Sequence, residues 1–123
     1  MSPEESAVAF LQLAGSGEVR AAFEKFIAPD FIHHNQYFKG DRESLQAAME
    51  AAHRNSPNRA IEVKRAFVDG DTVITHSRVV RKDPAQPDVA AVHIFRFENG
   101  LVAELWDLGQ LIEKESPNEN GVF

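Results

Sequence analysis

The chain has 123 residues, which at roughly 100–200 residues per domain is one domain, residues 1–123. Apolar residues make up 43% and charged residues 26%, a globular balance that excludes collagen-like, coiled-coil and wholly disordered chains. Thirteen basic against nineteen acidic residues give a net charge of −6, which argues against a nucleic-acid or anionic-membrane partner, and the lack of cysteine excludes disulfides, thiolate zinc sites and cysteine nucleophiles.

Three helices are predicted first. Ser2-Pro3-Glu4-Glu5 is a capping box with proline at the first helical position. Ala7, Phe10, Leu11 and Ala14 then share one face, and Gly15-Ser16-Gly17 ends the helix. Val19, Ala22, Phe23, Phe26 and Ile27 give a second amphipathic helix, which Pro29 terminates by disfavouring helical geometry at Ala28. Phe31 to Asn35 is extended, so His33 and His34 should point to opposite sides. Asp41 caps a third helix with Leu45, Ala48, Met49 and Ala52 on its buried stripe, and His53 as surface charge near its C-terminal end.

Four strands follow. They are Ile61–Val68, Thr72–Arg81, Val89–Glu98 and Leu101–Gln110, with turn signals at Asp69-Gly70-Asp71 and Asn99-Gly100. Helices first and antiparallel strands second is an α+β pattern. Long strands with three amphipathic helices suggest a strongly curved, mainly antiparallel sheet of four or more strands. The helices pack in its concavity, and a small-molecule pocket lies between. No apolar run approaches the ~20 residues of a membrane span. The acidic start MSPEESAVAF resembles no targeting signal, and cytoplasm is the default expectation.

The register of the last hairpin decides what faces the pocket. Two registers are open: a two-residue turn pairs Glu98 with Leu101, whereas Gly100 as a left-handed bulge residue pairs Phe97 with Leu101, and the bulged register is the one expected. His93, Phe95 and Phe97 then share a face with Leu101, Ala103, Leu105 and Asp107. Ile94 and Arg96 share the other with Val102, Glu104 and Trp106. Asp107 is thereby an acid on an apolar face, placed to shuttle a proton, with His93 beside it. His34 and His76 are further candidates for the inside, as hydrogen-bond donors to a carbonyl. Together with His93 and Asp107 they offer a metal-ligand set in principle, but no metal-binding spacing supports it, and no metal is expected. Ser77 beside His76 points away from it and is no nucleophile. Asn35, Phe31, Tyr37, Phe38, Met49, Phe95 and Leu105 are the expected lining of an apolar pocket.

Several segments resemble the SnoaL-like polyketide cyclase relatives. Phe31-Ile32-His33-His34-Asn35 with Gly40 is similar to their Y-I-Q-H-N-P…G segment. Gly70 to Ser77 is similar to G-D-x-V-x-x-H-S. His93 to Asp107 is similar to D-I-F-R-x-E-D-G-K-I-V-E-H-W-D, and Asn118 to Phe123 resembles a tail seen in the group. The resemblance covers about residues 5–123. It implies the cone-shaped nuclear-transport-factor-2-like fold. It also implies a homodimer through the sheet's outer face, where Ile94, Val102 and Trp106 would lie. It further implies that Asp107 matches the aspartate acting as general acid/base in an intramolecular aldol condensation. The family aspartate falls on His93 here, and the family histidine before tryptophan falls on Leu105.

The function expected from these residues is a cofactor-independent acid/base enzyme of the aldol-cyclase or isomerase type. It would act on a small, largely apolar carbonyl compound through Asp107, His93, His34 and His76. The alternatives are a non-catalytic dimer binding a small hydrophobic ligand, or a structural dimer with a filled pocket. The Val122-Phe123 end, an apolar tip on a polar tether, is expected to cover the pocket mouth or to pack on a dimer partner.

Overall fold

A computed structural model describes residues 1–123. Its elements run α1 (Pro3–Gly15), α2 (Val19–Phe26), β1 (Ile27–His33), α3 (Arg42–Asn55), β2 (Asn58–Asp69), β3 (Thr72–Arg81), β4 (Val89–Glu98) and β5 (Leu101–Leu111). The capping box closes as expected: Ser2 Oγ accepts from the Glu5 N–H at 3.1 Å, and Glu5 Oε1 accepts from the Ser2 N–H at 2.9 Å. Asp41 caps α3 by accepting from the Ser44 N–H at 3.2 Å. The Ser44 side chain, ahead of this backbone bond, holds the Asp41 carboxyl below the usual range. No helix is long and apolar enough to cross a membrane.

The sheet is mixed and five-stranded, in the order β1-β5-β4-β3-β2. The first strand is additional to the four that the sequence predicts. Ile27 leaves the second helix at its C-cap and begins an edge strand, where Pro29 is tolerated because no ladder bond is needed from its nitrogen. β1 runs parallel to β5, with His33 opposite Leu105. The other neighbours are antiparallel.

The helices cover one face of this sheet. Phe10 and Phe23 meet edge-on with ring centres 5.7 Å apart, and Phe10 meets Phe95 at 6.1 Å. Phe10, Phe23, Phe95, Val73 and Val102 are completely buried at the centre of the core. Val102 is therefore not on the outer face, contrary to the expectation for a dimer surface. Phe31 and Phe95 are also core residues, not pocket lining.

The last hairpin explains the difference. Asn99 and Gly100 both have positive φ, 51° and 80°, and form a two-residue turn that pairs Glu98 with Leu101. The bulge is not at Gly100. It lies between the pairs Phe97–Val102 and Arg96–Glu104, which leaves Ala103 as the extra residue of β5. Before it, Val102 faces the core with Phe97. After it, Leu105 and Asp107 face inward opposite Phe95 and His93, while Glu104 and Trp106 face outward. The expected partition holds for residues 104–107 and fails for Leu101 and Val102.

Candidate active site

A cavity of about 200 Å³ opens between the helices and the sheet. Phe10, Leu11 and Ala14 of α1, Leu45, Ala48 and Met49 of α3, and Ile61 and Leu105 of the sheet supply its apolar wall. Three of its polar groups come from neighbouring elements, Asn35 from the loop after β1, His93 from β4 and Asp107 from β5, while His53 of α3 lines it as well.

Asp107 and His93 are opposite partners in the β4–β5 ladder. Asp107 Oδ2 accepts from Asn35 Nδ2 at 3.0 Å. Asn35 is brought there by the parallel pairing of β1, two positions beyond the His33–Leu105 pair. Its loop is fixed by His33, the member of the histidine pair that points inward. His33 Nδ1 accepts from the Asn35 N–H at 3.1 Å, so Nε2 carries the proton donated to the Lys39 carbonyl at 2.7 Å. Asn35 Oδ1 in turn accepts from the Tyr37 N–H at 3.0 Å. The amide thus presents its donors to Asp107.

No imidazole hydrogen-bonds Asp107 directly; its protein donor is Asn35. The Nδ1 atom of His93 is buried and has no partner, as are Nδ1 of His53, Oγ1 of Thr75 and Oγ of Ser77. Burial pulls the His93 imidazole below the usual histidine range, and the Asp107 charge opposes this only in part. His93 is consequently neutral at pH 7, with one ring nitrogen able to donate and the other to accept.

Two of the expected site histidines are elsewhere. His34 lies on the outer face, where Nε2 meets Glu104 Oε2 at 2.6 Å and the ring stacks on Trp106 at 4.8 Å. The parity of β1 sends it outward once His33 is buried. Glu104 also accepts from Arg96 Nε at 2.9 Å, and the His34 bond, ahead of Arg96, lowers its carboxyl pKa. His76 alternates with inward-facing Thr75 and Ser77, so it too is outside, paired with Arg65 and in contact with the Phe123 ring at 5.0 Å. The C-terminal tip therefore packs on the back of the sheet and does not cover the pocket mouth. Tyr37 is 78% exposed and does not line the cavity, whereas Phe38, Met49 and Leu105 do.

Four polar lining residues lie outside the expected set: His53, Ser56, Asn58 and Arg81. His53 has a signal in the sequence, since it extends the Leu45–Met49 spacing by one more step of four. Arg81 shares the odd-numbered parity of Val73, Thr75 and Ser77, although the buried alternation stops at Ser77 and Val80 is the next buried residue.

A family model for the SnoaL-like domain matches residues 7–105. No curated protein matches the sequence. Among solved structures, IdmH from Streptomyces antibioticus, a candidate polyketide cyclase, is similar with a TM-score of 0.72 and 17% identity, covering 89% of this chain and 93% of that one. An NTF-2-like protein of unknown function from Burkholderia xenovorans LB400 gives 0.72 and 21%, covering 94% and 88%. An LEH-like epoxide hydrolase from M. tuberculosis gives 0.69 and 15%, covering 88% and 82%. At these identities the likeness is one of fold.

Proposed function

The chain belongs to the SnoaL-like domain family, and from that premise we propose that it is an acid/base enzyme acting on a small, largely apolar carbonyl compound. The observation that carries this is the set Asp107–Asn35–His93 at the wall of an apolar cavity. Asp107 takes the proton from the carbon next to the substrate carbonyl through the oxygen that Asn35 leaves free. A neutral His93 donates its ring N–H to the carbonyl oxygen as charge develops there. Such preorganised donors in a water-poor site are usually the largest single contribution to a rate. The resulting enolate carbon either attacks a second carbonyl of the substrate, as in an aldol closure, leaving an alkoxide to be protonated, or, where a carbon–carbon double bond is conjugated with it, the dienolate is protonated at its far carbon, as in an isomerisation. In both outcomes Asp107 returns the proton it took. Asn35 acts as a positioning residue, since it fixes one carboxylate oxygen and so the direction of the other. The scheme uses no cofactor.

The same reading includes a homodimer through the outer sheet face. Ile32, Phe67 and Leu108 are about half exposed or more there, and they extend a band containing Ile94 and Trp106 across the sheet.

The activity is tested by deuterium exchange next to the carbonyl of small aryl and alicyclic ketones in D2O, followed by NMR. The wild-type protein should accelerate exchange. Asp107→Asn, with an unchanged circular dichroism spectrum, should lower the rate by about 10²–10⁴. A panel showing no acceleration, or an unaffected variant, would sink the assignment.

A further inference from the structure

The cavity has a second polar end, remote from Asp107. Arg81, the last residue of β3, lines it together with Asn58, Ser56 and His53. Its guanidinium has no carboxylate partner. Nη1 donates to Asn58 Oδ1 at 2.7 Å, and none of the ion pairs of the chain includes Arg81. The nearby acid is engaged elsewhere: Asp88 accepts from Arg78 Nε at 2.9 Å and from the Arg81 backbone N–H at 2.9 Å. Ser56 Oγ accepts from Gln86 Nε2.

The balance of donors and acceptors at this end is one-sided. The Asn58 carbonyl oxygen and an acceptor position of Ser56 are used within the protein. The remaining guanidinium N–H groups, the Asn58 amide hydrogens and the Ser56 hydroxyl hydrogen are left as donors. A cationic, donor-rich end of an otherwise apolar cavity is complementary to an oxyanion, and the planar guanidinium suits a carboxylate in particular. The field outside has the same sign. Arg81 also borders an exposed groove with Arg59, Arg78, Lys82 and Lys114, against which stand Asp88 and Glu113. In a chain of net charge −6 this groove is a local excess of positive charge bordering Arg81, which favours anions near that end of the site.

The two ends are separated along the sheet. Arg81 lies six positions beyond Thr75, the ladder partner of His93. That is about 20 Å of strand at ~3.3 Å per residue, part of which the long arginine side chain spans in return. Leu11, Met49 and Ile61 are apolar lining of the same cavity.

We propose that the ligand of this site is an oxo acid, an apolar carbonyl compound bearing a carboxylate. The carboxylate binds at Arg81, Asn58 and Ser56, and the carbonyl end binds at Asp107 and His93. The assignment of the carbonyl end rests on the proposed function; that of the carboxylate end rests on Arg81 and its neighbours. The reverse orientation would set the ligand's carboxylate against that of Asp107, a like-charge contact.

Octanoate and methyl octanoate are the probes, titrated by calorimetry and by amide chemical shifts into wild-type protein, Arg81→Gln and Asp107→Asn. Octanoate should bind the wild type about tenfold more tightly than the ester, as one charge-assisted contact gives. Its shifts should centre on Ser56, Asn58 and Arg81. Arg81→Gln should abolish the preference and keep the affinity for the ester, which also reports an intact pocket. Asp107→Asn should keep the preference. Equal affinities in the wild type, no octanoate binding, or a preference that survives Arg81→Gln overturns the proposal. Ketone exchange is a separate readout. Exchange without a carboxylate preference removes the carboxylate end alone; a preference without exchange removes the acid/base assignment alone.

Discussion

At the residue scale the deciding property is the protonation state of His93. Its imidazole is held by burial below the usual histidine range, the Asp107 charge opposing only in part. In the unfolded chain the same ring takes up its proton near pH 6.5. Between the folded and unfolded values the unfolded state binds more protons, so stability rises with pH in that window. It is fully present above about 6.5 and is lost as pH falls through the folded value. Urea midpoints at pH 7.5 and pH 5.5 should therefore differ in the wild type, and His93→Gln should reduce the difference. An equal loss in the variant would mean that another group carries it. The acidic arm from Asp88 and Glu104, whose carboxyl values are lowered by their hydrogen bonds, belongs to lower pH. Asp107 and His93 are legible in the sequence because an acid and an imidazole stand on faces otherwise built of Phe, Leu and Ala. His34 and His76 are not assignable by type alone. Their direction depends on strand parity, which His33 and Thr75 fix by being buried.

At the scale of elements, placement of the site depends on two irregularities. One is the bulge at Ala103. Continuing the two-residue turn without it would set Asp107 opposite Val92, on the outer face; the extra residue moves it opposite His93. The sequence carries the need for a bulge in its chemistry, since only one parity puts Asp107 beside His93 and Glu104 beside Arg96. It does not carry the bulge's location, because Gly100 offers the more familiar place. The edge strand β1 escapes sequence reading for a related reason: Pro29 reads as a helix stop, and a strand interrupted between Ile27 and Ile32 shows little alternation. The second irregularity is the α1–α2 turn. Gly17 has φ +97°, and a Cβ there would collide with the His53 ring at Nε2. Gly17→Ala should destabilise the fold by about 1–3 kcal/mol through backbone strain. It should also displace the His53 ring from the cavity, visible as a shift of its imidazole resonances. A variant of unchanged stability with His53 unmoved would show that this turn does not hold the α3 end of the pocket.

At the scale of the whole molecule, the two faces of the sheet divide the work. The inner face holds the core and the cavity. The outer face carries Ile32, Ile94, Trp106, Phe67 and Leu108 on neighbouring strands, with the Arg96–Glu104–His34 cluster among them. Exposed apolar patches of this extent usually mark an interaction surface. A two-fold dimer would use the same patch on both chains. His34 and Glu104, set beside Trp106, would then serve that surface and not the cavity, which accounts for their ordered pairing so far from Asp107. Phe123 packs on the same side, against His76 and beneath the Lys64 ammonium, so the chain's own tip occupies part of the periphery. Light scattering after size exclusion should give twice the 13.7 kDa chain mass for the wild type. Ile94→Asp should give the single mass, because a carboxylate at the centre of an apolar contact would be desolvated without a partner. The cavity lies on the opposite face, so the variant monomer should retain the octanoate preference. A wild type that elutes as a monomer at all concentrations removes the dimer. A dimer that persists in the Ile94→Asp variant moves the interface to another surface, and leaves the apolar band for a different partner.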